Sequence, residues 1–165
     1  MIYIPNESTN PYYNLAFEEY VLKNMPDDEE YVLLWQNAPA VIVGRFQNTL
    51  AEINTKFVKE RGIKVVRRMS GGGAVYHDLG NLNYTFIVKH SPDKLLNFKK
   101  YTVSVMKVLK ELKVDVEFKG RNDLTIKGKK FSGNAQYITK NRLLHHGTLL
   151  YSSNLDDLEE ALNVS

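Results

Sequence analysis

Three consecutive glycines, Gly71, Gly72 and Gly73, follow a strand-like run in the segment RRMSGGGAVYHD, residues 67–78. Glycine loses more backbone freedom on folding than any other residue, so a run of three constrains what surrounds it. Either it is the flexible tip of a hairpin, or it is a loop whose backbone lies against a ligand and offers N–H groups to an anion. Arg67 and Arg68, just before it, carry fixed positive charge of the kind that suits phosphate. No Gly-Lys-Ser or Gly-Lys-Thr follows, so this is not a Walker loop. The G-x-G-x-x-G spacing of dinucleotide folds is also missing.

The elements around this segment read as an α+β domain. Asn10-Pro11 caps a helix that runs to about Asn24. Tyr31 to Gln36 and Ala40 to Gly44 are β-rich runs separated by Asn37-Ala38-Pro39, which predicts a hairpin. Asn54 caps a short helix that stops at Gly62. Ile63–Arg67 and Leu82–Val88 read as strands. The longest helical pattern spans about Pro92 to Leu112, with Leu95, Phe98, Val105, Val108, Leu109 and Leu112 as its apolar face. Strands at Val114–Phe118, Leu124–Ile126, Phe131–Ile138 and Leu143–Tyr151 follow, then a short helix from about Asn154. Strands outnumber helices and come partly in adjacent pairs, which suits a mixed or antiparallel sheet flanked by helices.

The chain has 165 residues, enough for one domain that needs no staple. It contains no cysteine, which excludes disulfides, thiolate metal sites, Fe–S clusters and a cysteine nucleophile. The first residues, MIYIPNESTNP, have neither a basic region nor a long apolar core, and no apolar run approaches bilayer length. A soluble cytoplasmic protein is the expectation. There are 22 Lys and Arg against 19 Asp and Glu, too small an excess to argue for nucleic acid.

Two further segments carry possible chemistry. Gly120-Arg121-Asn122-Asp123-Leu124 leads to Lys127-Gly128-Lys129-Lys130-Phe131-Ser132-Gly133-Asn134. This is either an exposed basic hairpin with a glycine turn, or a lysine beside a small turn reaching into a crowded site as a point charge. Asp123 is placed to help hold Mg²⁺, which takes one or two carboxylates plus substrate phosphates. His145-His146-Gly147-Thr148 is the other segment. Adjacent strand histidines point to opposite faces, so the pair cannot form a zinc site. The four histidines show no metal-ligand spacing.

Taken together, these segments resemble the lipoate–protein ligase family. RRMSGGGAVYHDLGNLNYTF, GRNDL with KGKKFSGNAQ, and HHGTLL stand in that family's order, as do NPYYNLAFEEYVL and VIVGRFQN. The resemblance covers essentially the whole chain. It implies a biotin/lipoate-ligase catalytic domain over residues 1–165, related in fold to class II tRNA synthetases. It implies activation of lipoate by ATP with Mg²⁺, then transfer of the lipoyl group to a carrier-domain lysine. The carriers implied are the acyltransferase subunits of 2-oxo-acid dehydrogenases and the glycine-cleavage H protein; nucleic acid and membrane are not expected partners. By motif, Lys130 takes the place of the family's site lysine, touching both the lipoyl carbonyl and the α-phosphate. Arg68, Gly73, Ala74, Val75 and Tyr76 match ATP-binding positions, with Asn122 and Asp123 beside them. Ser70, Gly71, Gly72, His77, Ser132 and His146 match the lipoate side. Phe46, Val75 and Tyr76 are candidates for the apolar tunnel of the dithiolane tail. With no cysteine, the thioester route of the related octanoyltransferases is closed. Two rivals remain, a non-catalytic lipoyl-domain binder and one part of a split ligase. Ligases of this family usually continue past this length, so the catalytic domain is expected to be incomplete at its C-terminus, with an accessory domain or second subunit as a partner.

Overall fold

The computed structural model of the chain describes residues 1–90 and 97–162. Local signals place the first helix. Asn10 accepts hydrogen bonds from the backbone N–H groups of Tyr12 and Tyr13, with Pro11 in the first turn, and α1 runs Pro11–Asn24. Likewise Asn54 caps α2 (Thr55–Glu60), which ends at Gly62 in the left-handed region, φ 64°.

Among the described residues, ten strands form two sheets. The larger has the order β1 (Ile2–Ile4), β2 (Tyr31–Trp35), β6 (Asn81–Lys89), β10 (Arg142–Leu150), β9 (Lys129–Ile138), β8 (Asp123–Ile126), β7 (Glu117–Lys119). It is antiparallel except for β1 beside β2. In the smaller sheet β3 (Ala40–Val43) lies between β4 (Lys64–Arg67), parallel to it, and β5 (Val75–His77), antiparallel. The mixed α+β architecture expected from the sequence is therefore present.

The expected hairpin of residues 31–44 is not. β2 and β3 lie in different sheets. Both edges of β2 are taken, by β1 and β6, so β3 has nowhere to pair with it. The chain between them is anchored instead by Ala38 N–H donating to the Thr9 carbonyl and Lys64 N–H donating to that of Pro39.

β3 is buried on both faces, as its unbroken apolar sequence AVIV suggests. Ala40 and Ile42 join one core with Leu15 and Leu22 of α1, Leu33 and Trp35 of β2, and Leu144 of β10. Val41 and Val43 join a second core with Val58 of α2, Tyr76 of β5 and Ala161 of α4 (Leu155–Leu162). The small sheet thus separates two cores and holds the glycine segment, between β4 and β5, against the larger sheet.

The helix expected from Pro92 is shorter. α3 spans Phe98–Glu111, and Asn97, with φ −126° and ψ 87°, is its cap. Residues 91–96, with Leu95, lie outside the described residues. Of the expected apolar face, Val108 and Leu112 are exposed, and Thr102 is the residue of α3 that is buried. α3 packs narrowly on the end of the larger sheet, with Phe98 and Tyr101 edging onto His145. β1 and β5, three residues each, carry too little pattern for sequence reading and are set by pairing.

Candidate active site

A cavity of about 160 Å³ opens between the two sheets, far more than the ~10–15 Å³ that holds one water. The glycine segment forms one wall, with Gly72, Gly73, Ala74 and Val75. Across from it stand Lys130 and Asn122, from the β8–β9 region. Leu15, Trp35 and Ile42 form an apolar wall, and His77, Asn83 and His146 add polar groups.

The glycine loop is built, not loose. The Arg68 guanidinium donates from Nε to Ser70 Oγ (3.1 Å), from Nη1 to the Ile42 carbonyl (3.0 Å) and from Nη2 to the carbonyls of Gly71 (2.8 Å) and Gly73 (2.7 Å). Arg67 donates to the carbonyls of Gly44 (2.8 Å) and Gln47 (2.8 Å) and to Thr49 Oγ1 (2.7 Å). Gly72 has φ 94°, where L side chains are strained. With the carbonyls turned onto arginine, the loop is left to present N–H groups to an anion. Burial lowers the Arg68 pKa to about 10, with the nearby Glu18 charge opposing the shift, so Arg68 stays cationic at neutral pH. Most of its hydrogen-bonding capacity is spent on the loop. Its hydrogen bonds hold the loop in shape, and its charge remains at the cavity lining.

Lys130 owes its direction to a bulge. The β8–β9 turn, Lys127-Gly128, has both residues at positive φ, as a tight two-residue hairpin requires. The register then slips, Thr125 facing Lys130 but Leu124 facing Ser132, so Phe131 is an extra residue. A bulge re-aims the side chains next to it. Here it brings Lys130 to the side of Gly133, where a Cβ would meet Lys130 Cε and Nζ at 3.4 Å. Lys130 Nζ lies 2.9 Å from Asp123 Oδ1, an ion pair by distance without hydrogen-bond alignment. Asn122 and Asn134 tie this corner together, each side-chain NH₂ donating to the other's backbone carbonyl (2.6 and 2.9 Å).

Behind the cavity runs a buried polar chain. Ser70 Oγ is 2.6 Å from His146 Nε2, and His146 Nδ1 is 3.0 and 3.1 Å from the two Glu18 oxygens. Thr85 Oγ1 donates to Glu18 (2.6 Å) and accepts from Trp35 Nε1 (3.0 Å). Ser70 Oγ accepts from Arg68 Nε, so the chain links Arg68, Ser70, His146 and Glu18 in one buried run. His145, on the opposite face, accepts from Gln136 Nε2 at Nδ1 (2.8 Å) and donates to Asn134 Oδ1 (3.1 Å). Burial lowers its pKa to about 3, so it is neutral.

Of the residues singled out by sequence, Arg68, Gly72, Gly73, Ala74, Val75, His77, Asn122, Lys130 and His146 line the cavity. Ser70 and Gly71 sit one layer behind, bonded to Arg68, and Asp123 pairs with Lys130. Ser132 is fully buried away from the lining. Tyr76 points the other way, into the second core, where burial raises its pKa to about 12. Val75 and Tyr76 alternate along β5, so only one faces the cavity. The tunnel reading therefore needs correcting: Phe46 is 84% exposed and Tyr76 is turned away. The apolar lining of the cavity comes instead from Leu15, Trp35, Ile42 and Val75. Glu18 and Asn83 were missed. Glu18 sits amid an ordinary-looking helix sequence, and Asn83 inside a strand; neither carries a local signal.

Residues 10–165 match the family described as the lipoyl protein ligase A/B catalytic domain. The chain belongs to that family. It is 52% identical over 165 residues to lipoate-protein ligase LplJ of Bacillus subtilis, covering 99% of this chain and 50% of that one. Among solved structures, P. falciparum LipL1 in complex with lipoate superimposes with a TM-score of 0.91 at 33% identity, over 99% of this chain and 52% of that chain. The bi-partite lipoate protein ligase of Thermoplasma acidophilum, studied with its E2 lipoyl domain, gives a TM-score of 0.87 at 29% identity, over 99% and 65%. Lipoate-protein ligase A bound with ATP also gives 0.87, at 27% identity, over 100% and 70%. The chain spans about half the length of the curated relatives it matches. Within this family, the cavity between the glycine loop and Lys130 is the natural candidate for the ligase site.

Proposed function

We propose that the chain carries the catalytic domain of a lipoate–protein ligase, and that the cavity activates lipoate with ATP. The observation that carries this is the placement of Lys130 and the glycine segment, with Arg68 beside it, around one cavity that also has an apolar wall. A carboxylate and a triphosphate repel each other. A cation and preorganised donors between them lower that repulsion and stabilise the charge that develops as they react. Holding both in one cavity supplies much of the remaining acceleration.

In the first half-reaction a lipoate oxygen attacks the α-phosphorus, and pyrophosphate leaves, giving lipoyl-AMP. In the second, the ε-amine of a carrier-domain lysine attacks the lipoyl carbonyl and loses a proton, and AMP leaves. Lys130 suits contact with the acyl oxygen and α-phosphate throughout. Gly73, Ala74 and Val75 suit the phosphates through their backbone, as does the backbone of Tyr76. Gly72, His77 and His146 face the acyl group, with Ser70 and Gly71 supporting from behind. The residues fit Mg²⁺ modestly: among those described, no cluster of three or more His, Cys, Asp or Glu exists, while Asp123 has a buried carboxylate oxygen lacking an aligned hydrogen bond. Asp123 would hold Mg²⁺ together with substrate phosphates, where the ion neutralises phosphate charge. A lipoyl domain is the acceptor this reading calls for; the acyltransferase subunits of 2-oxo-acid dehydrogenases and the glycine-cleavage H protein supply such domains. A cytoplasmic setting fits the absence of cysteine and of any helix, among the described residues, long and apolar enough to cross a membrane.

Intact-mass spectrometry of an apo lipoyl domain, incubated with the chain, ATP, Mg²⁺ and lipoate, tests this. The expected result is an ATP-dependent gain of one lipoyl group. An unmodified carrier, together with no lipoate-dependent exchange of pyrophosphate into ATP, would overturn the reading for this chain. Exchange without transfer would favour a divided enzyme needing further residues in trans.

A further inference from the structure

The most exposed large apolar side chain among the described residues stands beside the cavity. Phe46 is 84% exposed, and Leu50, on the same segment, is 71% exposed. Single apolar residues on a surface are ordinary. These two differ because a firmly bonded segment displays them. Gln47 N–H donates to the Gly44 carbonyl (3.2 Å), and Gln47 Oε1 accepts from Gly44 N–H (2.7 Å). Asn48 caps the 3₁₀ turn Thr49–Ala51 by accepting from Leu50 N–H (3.2 Å). Arg67 holds the same stretch through the carbonyls of Gly44 and Gln47 and the Thr49 hydroxyl. A surface ordered in advance loses little further freedom when a partner covers it.

The segment continues β3 and meets the glycine loop directly. Arg45 N–H donates to the Ser70 carbonyl (2.9 Å), and a Cβ on Gly71 would lie 3.9 Å from the Phe46 ring. Gly72 and Gly73, next in the loop, line the cavity. The Arg45 guanidinium lies over two rings, 5.3 Å from the centre of Phe46 and 5.5 Å from that of Tyr137. Tyr137 is two residues along β9 from Ala135, which lines the cavity, so both face the same side of the larger sheet. Phe46, Arg45 and Tyr137 therefore form a ledge running from the small sheet to the large one, next to the cavity.

The ledge has a charge to offer. Arg45 is exposed and forms no ion pair among the described residues. Stacking on aromatic faces leaves the N–H edge of a guanidinium open, and a carboxylate fills that edge with two parallel bonds. Aromatic and arginine side chains grouped at one spot are the composition of interface anchors.

We infer that this ledge is where the acceptor domain docks, with Phe46 against its apolar surface and Arg45 on a carboxylate beside its acceptor lysine. This rests on the lipoate-activating reading above. The occupant follows from the chemistry of the second half-reaction. The acyl group is activated inside a cavity, and the remaining reactant is an amine carried by a protein. That protein covers the surface around the cavity while its lysine reaches in. Small substrates gain nothing from an apolar platform outside the cavity, whereas a protein partner does. A carboxylate held by Arg45 brings the neighbouring lysine to the glycine loop.

The probe is a purified apo lipoyl domain with a carboxylate beside its acceptor lysine. Its equilibrium binding to the full chain is measured, together with lipoate-dependent ATP–pyrophosphate exchange by the same chain. Phe46→Ser and Arg45→Gln are each expected to weaken carrier binding roughly tenfold or more, as loss of an anchor does, while exchange and melting temperature stay near wild type. Converting the carrier's carboxylate to an amide should cost wild type about as much as Arg45→Gln does, and cost Arg45→Gln little more, as the two ends of one ion pair behave. Unchanged carrier affinity in both chain variants would overturn the inference. So would a loss of exchange as large as the loss of binding, or fully additive losses in chain and carrier. A wild type that exchanges pyrophosphate but does not bind the carrier would overturn it as well, and each of these leaves lipoate activation standing. A wild type that does neither would overturn the functional reading, and this inference with it.

Discussion

Lys130 Nζ reaches Asp123 at 2.9 Å, with the two side chains 58% and 33% exposed. An ion pair so open to water contributes little to folding. Lys130→Ala is therefore expected to leave the melting temperature nearly unchanged while lowering adenylate formation by roughly 10²-fold or more, as loss of a charge-stabilising donor does elsewhere. Lipoate-dependent ATP–pyrophosphate exchange is the measurement, and retained exchange would remove Lys130 from its role. Gly44 makes a contrasting case. A Cβ there would overlap the carbonyl oxygen of Gly72, so the motif VIVGRFQN needs glycine to seat the glycine loop. Gly44→Ala should cost about 1–3 kcal/mol and displace that loop. ATP affinity should fall more than lipoate affinity; calorimetric titration of each ligand would show whether the loss is so divided.

At the scale of elements, Arg142 of β10 closes the end of α1. Its guanidinium donates to the carbonyls of Val21, Leu22, Met25, Pro26 and Glu29 and lies over the Tyr31 ring, 5.3 Å from its centre. These are largely the orphan carbonyls that a helix end leaves behind. Arg142→Met would bury them unpaired, and a loss of about 2–4 kcal/mol is expected from denaturant unfolding. A change under about 1 kcal/mol would mean that water replaces the guanidinium. The sequence shows nothing of this closure, because residues 21 and 142 meet only through the fold. What it does show is local: Asn10-Pro11 starting α1, Asn54 and Gly62 bounding α2, and AVIV as a buried strand. The predicted β2–β3 hairpin failed because pairing depends on which edges other strands have taken. The face of α3 was misjudged because periodicity marks an apolar stripe without saying whether anything covers it. In the site, the glycine run, Lys130, His77 and His146 stood out by residue type and by motif. Glu18, Trp35 and Asn83 had no such mark, since Glu18 is placed by the packing of α1 on the larger sheet and the other two by register across strands.

Over the whole molecule, two buried neutral histidines link stability to acidity. His77 and His145 are held in the fold at about pKa 3, against 6.5 when unfolded. Below pH 6.5 the unfolded chain takes up protons that the folded chain refuses, so stability falls as pH drops from about 6.5 toward 3. Each histidine contributes a slope of up to about 1.4 kcal/mol per pH unit. Urea unfolding at pH 7, 6 and 5 should show the decline, and His145→Gln should make it distinctly shallower; equal slopes would argue against His145. The arginines of the glycine loop have a consequence of another kind. In the linear sequence, Arg67-Arg68 before three glycines looks like an inviting tryptic cleavage point. In the folded chain each guanidinium is engaged with carbonyl or hydroxyl oxygens of β3, of the loop, or of the turn after β3. A protease must draw one of them out into its own specificity pocket, and so must first open the small sheet. Brief trypsin treatment should therefore nick the lysine-rich β8–β9 turn early and leave the glycine loop whole, until the domain itself comes apart.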